Sequence, residues 1–402
     1  MAKTKKKKII YGILIFSLLL ITSVSLFFLM NKKEEPKKEK PEEPKKPLVE
    51  NFSFNFIGAG DALIHNGVYN DAATGTVDAN GYQQYNFNKM FPDIKEIIEP
   101  YDLKYYNQET VIGGKALGLS NYPNFNSPDE IGTNLTDDIG FNMVSLASNH
   151  TMDKGIVGAE YSTEFWSKKP NVYKTGSYRS FEERNNTEIR TINGISYAML
   201  NYTYGLNGNP FPTGKDYLVN LWPVSSDAEF EAYKVQVKKD VDAIRNKVDV
   251  LMVAMHWGNE YVHTPNTYQR NAAEYLASLG VNVIVGAHPH VIQPIEYIGD
   301  TLVIYSLGNL ISAQDGTIKR VGMLASFTAK KETTNGKTTK IEITDAKADL
   351  IWTHYNYYRN FKIMPFTKLT DATLYNYRGI YDEYLKHINP KNDPKIQVGF
   401  IK

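Results

Sequence analysis

The sequence predicts an α/β fold of sheets layered with helices, preceded by a single membrane-spanning helix. Three observations carry this. Short runs of β-branched and aromatic residues alternate with helical stretches through residues 51–402, as buried strands covered by helices do. Residues 9–30 form a 22-residue run without one charged side chain, about 33 Å long as a helix against a hydrocarbon core of about 30 Å. The chain of 402 residues is also long enough for one large or two ordinary domains, and it needs no covalent staples. It has no cysteine, which excludes a disulfide scaffold, thiolate zinc sites, iron–sulfur ligation, a cysteine nucleophile and a lipid-modified N-terminal cysteine. Any metal must be held by His, Asp, Glu or Asn.

Lys3, Lys5, Lys6, Lys7 and Lys8 precede the apolar run, and Asn31, Lys32 and Lys33 follow it. The run exceeds the about 7–15 apolar residues of a cleavable signal, so it reads as an uncleaved anchor. The tight N-terminal lysine cluster places residues 1–8 in the cytoplasm and the bulk of the chain outside it. Residues 31–50 are Lys, Glu and Pro with almost nothing apolar, an extended stalk. The net charge of +1 conceals a division: residues 1–50 carry +6 and residues 51–402 carry −5. No basic surface for nucleic acid is indicated outside the anchor and stalk. The outer domain, 51–402, divides into core motifs at 52–312 and a C-terminal hairpin and helix at 313–402.

Within it, Phe52, Phe54 and Phe56 alternate into Gly58-Ala59-Gly60, a strand that ends at Asp61. A helix over 88–99 precedes a strand at 103–106, which delivers Asn107-Gln108-Glu109. A short helix over 133–139, stopped by Gly140, precedes a strand at 141–147 that leads to Asn149, His150 and Asp153. Two strands joined at Asn193-Gly194 span 192–204. Ser226 and Glu229 form a capping box for a helix to about 247, and a strand at 248–255 ends at His256. A helix over 267–279, closed by Gly280, leads to a strand at 281–285 ending in His288-Pro289-His290. A strand at 301–306 ends at Leu307-Gly308-Asn309. A hairpin at Asn335-Gly336 and a helix over 371–387 complete the chain, and no internal repeat is evident.

Ligands of α/β folds gather beyond the carboxyl ends of strands, where Asp61, Glu109, Asn149, His150, His256, His288 and His290 all fall. Singly, each has an ordinary explanation: Asp61 completes a turn, Asn149 caps a helix, a lone histidine sits in a loop. Together they form a set of nitrogen and oxygen donors suited to Zn, Mn, Fe or Mg. Such a set permits two-metal hydrolysis, which needs a bridging carboxylate and several terminal ligands. Asp61 or Glu109 could bridge, with Asn149, His256, His288 and His290 as terminal ligands. His150, steered by Asp153, is the candidate general acid. His65, Glu260 and His263 are candidates for the substrate edge.

The segments Gly58–His65, Asn107–Glu109, Leu146–Gly155, His256–Tyr261, Gly286–Gln293 and Tyr305–Asn309 together resemble the bacterial capsule-synthesis proteins of the CapA/PgsA type, in one order over residues 52–312. The resemblance implies a membrane-anchored part in making or exporting poly-gamma-glutamate. It also implies a domain similar to the calcineurin-like metallophosphoesterases, a two-sheet sandwich flanked by helices. Against the metallophosphoesterase motifs, Asn149-His150, His256 and His288-Pro289-His290 match. Glu109 stands where those enzymes have a bridging Asp, and His65 lies four residues after Asp61 where they have His two residues after.

The expected function is therefore an extracytoplasmic component of capsule-polymer synthesis carrying two divalent ions, acting beside other subunits of a synthase or exporter on an acidic polymer. An outright hydrolase of a phosphoester or amide bond, and a metal-free scaffold, are the alternatives.

Overall fold

The computed structural model describes residues 2–32, 47–223 and 226–401, so most of the expected stalk lies outside the described residues. Two compact units emerge, Met1–Pro47 and Leu48–Lys402. The first contains the helix Ala2–Met30, which is long and apolar enough to cross a membrane.

In the second unit, the described strands form a sheet of nine, a sheet of six and a two-stranded ribbon. The larger sheet is built on the strand Val49–Ala62, which pairs in parallel with Leu103–Asn107 and antiparallel with Val321–Thr334. Met143–Ser145 and Tyr173–Thr175 continue the parallel side, while Lys337–Asn356 and Arg359–Pro365 continue the antiparallel one. In the smaller sheet, Ile195–Thr203, Val250–His256, Val283–Ala287 and Thr301–Leu307 run parallel, edged by antiparallel Arg190–Ile192 and Ile292–Ile298.

One apolar cluster joins the sheets: Phe54, Phe56 and Tyr105 of the larger pack with Met199, Met252, Val283 and Ile304 of the smaller, all buried. The outer face of the larger sheet, through Ile57, Tyr106 and Val144, packs on Ile94, Leu135 and Trp166. The outer face of the smaller sheet packs on the helices Asp227–Ile244 and Thr267–Ser278 through Val237, Val241 and Leu276. Strands covered on both faces carry continuous apolar runs, which is why residues 250–255 and 283–285 read as buried.

Local chemistry explains most element ends. Ser226 accepts the Glu229 N–H, and Asn266 with Gln269 forms a full capping box. Asn193 and Gly194, both at positive φ, turn the hairpin between Arg190–Ile192 and Ile195–Thr203. The expected helix over 88–99 is divided by Pro92 into a 3₁₀ turn, Asn88–Met90, and a helix, Pro92–Ile98. The C-terminal helix starts at Tyr377 rather than near Asp371, whose carboxylate accepts the Asn376 N–H at 3.0 Å.

The ladder requires Gly60. A Cβ there would lie 1.7 Å from the Gly308 carbonyl oxygen, which already accepts the Asp61 N–H at 2.9 Å. Gly60→Ala is expected to destabilise the fold by about 3 kcal/mol, read as a lowered urea midpoint. Gly205→Ala, which meets nothing within 4 Å, should stay within about 0.5 kcal/mol of the parent. Equal midpoints for the two variants would contradict this close approach.

Candidate metal centre

Parallel strands from both sheets end on one side and deliver their next residues to a common point. Asp61 lies near the end of Val49–Ala62 and Glu109 two residues past Leu103–Asn107. Asn149 and His150 follow Met143–Ser145, His256 ends Val250–His256, and His288 and His290 follow Val283–Ala287. Asp61 and Glu109 have no solvent exposure.

The distances define a cluster. His256 Nε2 lies 3.6 Å from Glu109 Oε1 and 2.9 Å from Asn149 Oδ1. His290 Nε2 is 3.6 Å from the same Glu109 oxygen, and its Nδ1 is 3.3 Å from Asp61 Oδ2. Ligand atoms of Glu109, His256 and His288 lie within 4.8 Å of one another, as do those of Asp61, Glu109 and His290, and of Glu260, His288 and His290. Glu109 belongs to two of these groups.

Unsatisfied atoms show what the cluster suits. Both carboxylate oxygens of Glu109, and Nδ1 of His288, are buried without a hydrogen-bond partner among the described residues. A buried carboxylate without hydrogen bonds is costly, and a cation with oxygen and imidazole ligands relieves that cost. The residues present therefore fit a divalent ion.

The electrostatics divide the histidines. Burial, followed by the neighbouring His256, His290 and His150, holds His288 well below its ordinary pKa, leaving a neutral imidazole suited to ligation. Burial also opposes charge on His290, but Glu109 and Asp61 outweigh it and push its pKa up to about 9. The backbone adds strain: His288 and His290 have φ of 94° and 57°, flanking Pro289, and Tyr261, whose N–H donates to the Pro289 carbonyl, has φ of 64°. Such conformations in non-glycine residues persist where surrounding structure imposes them.

Beside the cluster stands a second unit. His150 Nδ1 lies 2.6 Å from Asp153 Oδ2, which also accepts the Phe125 N–H at 2.6 Å, while Asn209 donates to Asp153 Oδ1 at 3.2 Å. Those donors fix the carboxylate, which can only accept, so Nδ1 is the His150 nitrogen turned to Asp153 and Nε2 the one turned away from it. His65 is across Phe125, whose ring meets His65 and His150 edge-on at 5.1 and 4.8 Å. Burial and nearby positive groups lower the His65 pKa to about 4. Glu260 is exposed and joins His288 and His290. His263 makes its contacts elsewhere: its Nδ1 lies 2.8 Å from the Ile292 carbonyl oxygen, and its ring stacks on His387 at 4.4 Å.

Several participants carry no role in the sequence reading. Asn107 donates to Asp61 at 2.9 Å and approaches His256 Nδ1 at 3.4 Å. Asn309 faces His290 Nδ1 at 3.1 Å. Both stand at strand ends inside the quoted motifs, the signal that could have found them. Asn207 accepts from Asn149 at 3.2 Å, and Tyr204 packs on His288 at 4.5 Å. They lie just past the strand Ile195–Thr203, in a loop to which the sequence pattern assigns no role.

A two-sheet α/β domain with this donor cluster at its strand ends defines a candidate metalloprotein. Residues 55–314 match the family described as bacterial capsule synthesis protein PGA_cap, and the chain belongs to that family. "PGA biosynthesis protein CapA" of Bacillus subtilis (strain 168) is 26% identical over 309 residues, 75% of this chain and 75% of the relative. "Capsule biosynthesis protein CapA" of Bacillus anthracis is 27% identical over 188 residues, 47% of this chain and 44% of that relative. Among solved structures, a hypothetical protein from Thermus thermophilus has a TM-score of 0.39 at 13% identity, covering 72% of this chain and 97% of its own. GAP50, the anchor in the inner membrane complex of Plasmodium, has a TM-score of 0.38 at 12% identity, covering 73% and 90%. Structural likeness at that level carries no argument about activity.

Manganese or zinc at about 100 times its dissociation constant should stabilise the parent by about 2.7 kcal/mol in thermal unfolding. Glu109→Gln should abolish that gain, measured against its own stability in chelator, where it has lost both a buried carboxylate and the 3.6 Å approach to His290 Nε2. A variant that is metal-stabilised like the parent would contradict ligation by Glu109.

Proposed function

We propose that this chain is a membrane-anchored, extracytoplasmic component of poly-gamma-glutamate or related capsule-polymer synthesis or export, with a metallophosphoesterase-like domain holding two divalent ions. The single observation behind the metal reading is the buried Glu109 carboxylate, without a hydrogen bond among the described residues, set among Asp61, His256, His288 and His290. Membership of the capsule synthesis family and the names of the Bacillus relatives support the polymer. The apolar helix Ala2–Met30 behind a lysine cluster supports the anchor and an outer location for residues 51–402. Two sheets sharing one core, with the donors at parallel strand ends, support the likeness to metallophosphoesterases.

Glu109, common to two donor groups, would be shared between them: Asp61 and His290 complete one group and His256 and His288 the other, with the Asn149 oxygen 2.9 Å from His256 Nε2. Bound divalent ions supply Lewis acidity and lower the pKa of water. His150 Nε2 delivers the proton to a leaving group, while Asp153 holds the ring in place. Asn107 and Asn309 hold Asp61, His256 and His290 in position.

The buried His150–Asp153 pair favours a hydrolase acting on a phosphoester or amide over a purely structural metal site. His150→Ala should lower turnover of such a bond by about 10²–10⁴-fold with metal content unchanged. Parent turnover in that variant would remove the general-acid role.

The whole reading is tested with full-length protein in detergent. Elemental analysis should find divalent metal in the parent and less in His256→Ala and His288→Ala, and cells carrying either variant should lose surface polymer. A metal-free parent would overturn the metal centre. Polymer production by a variant without metal would assign the chain a scaffolding role.

A further inference from the structure

Next to the metal cluster lies a cleft of about 700 Å³, lined by His65, Asn66, Asn70, Asn121, Tyr358 and Arg359 among others. His65 is the shared wall: it faces the cleft and packs through Phe125 on His150. The cleft is rich in donors. Asn66 Oδ1 accepts the Gly67 N–H at 2.9 Å, and Asn121 Oδ1 accepts the Asn66 N–H at 3.2 Å. Each of these amides thus has its oxygen engaged, and its NH₂ group makes no hydrogen bond to another described residue. Arg359 is exposed and makes no ion pair or hydrogen bond through its side chain to another described residue. The one carboxylate in the lining, Asp71, accepts the N–H groups of Asn360 and Phe361 at 2.9 and 3.0 Å and lies 3.4 Å from Lys89.

The rim is held under strain. Lys337–Asn356 and Arg359–Pro365 are joined through Tyr357 and Tyr358 alone, at φ of 50° and 57°. Hairpin turns of that shape favour Asn-Gly, and two bulky side chains there are outliers. Tyr358 is tied by its hydroxyl to Asp315, which Tyr355 also contacts, while Tyr357 is 96% exposed. The turn thus presents an aromatic ring to solvent beside the unpaired guanidinium.

We propose that this cleft is a second binding site, for a carboxylate-bearing chain whose neighbouring unit occupies the metal centre. Planar amide donors and a guanidinium fork match planar carboxylates. The Tyr357 ring covers the apolar carbons between successive acidic groups. The site offers recognition for an anionic chain on a domain that is itself net negative. The proposal rests on the function above only for which unit lies at the metal.

The test is equilibrium binding of a labelled γ-glutamate oligomer to full-length protein in detergent, with a glutamine oligomer and polyphosphate as alternative ligands. Arg359 and Tyr357 are exposed, so Arg359→Ala and Tyr357→Ala should unfold like the parent. Arg359→Ala should weaken oligomer binding by about tenfold or more, Tyr357→Ala should weaken it too, and the uncharged oligomer should not bind. Parent-like binding by Arg359→Ala, no binding by the parent, or stronger binding of polyphosphate would overturn the proposal. Arg359-dependent binding in a protein shown to hold no metal would remove the metal-centre function and leave the cleft standing.

Discussion

Two carboxylates, Asp61 and Glu109, sit with no solvent exposure at the ends of adjacent parallel strands, and the remaining site is arranged around their charge. Removing a carboxylate from water costs several kcal/mol unless opposite charge or hydrogen bonds offset it. Asp61 has such partners in Asn107, the His288 N–H and His290. Glu109 has only imidazole nitrogens at 3.6 Å. Burial holds the His288 pKa down, with the neighbouring rings adding to it, whereas on His290 the two acids outweigh burial.

The fold serves that arrangement by bringing two sheets together face to face with their parallel strands ending at one edge. Glycine makes the convergence possible: a side chain on Gly60 or Gly286 would strike a backbone carbonyl of a neighbouring segment. Each precedes a donor by one or two residues, so the close approach of main chains and the placement of Asp61 and His288 are one feature. Polar side chains then bridge the sheets, as where Asn201, on the smaller sheet, accepts the Ala147 N–H at 2.6 Å.

Much of this is legible in the sequence because parallel buried strands are continuous apolar runs that stop abruptly at polar residues. Asp61, Glu109, Asn149, His256, His288 and His290 each follow such a stop, and the structure gathers them. Strands that pair at sheet edges are harder to read: Ile292–Ile298 carries Gln293, Pro294 and Glu296, and Arg359–Pro365 mixes Arg359, Asn360 and Lys362 with its apolar residues. The Tyr357-Tyr358 turn lacks the Asn-Gly chemistry that marks hairpins, so residues 337–365 give no sign of folding back. His263 reads like its neighbours in a histidine-rich set, yet its partner His387 lies 124 residues away on a helix, a contact that no local pattern reports. Asn207 depends likewise on a loop conformation.

The strand Val49–Ala62 also sets a length scale. Its first residue is where the chain coming from the N-terminal segment enters the domain, and Asp61 lies at its other end. At about 3.3 Å per residue, twelve residues of strand separate the two by about 40 Å. A segment joined to the domain at Val49 is therefore held that distance from Asp61 by the strand itself.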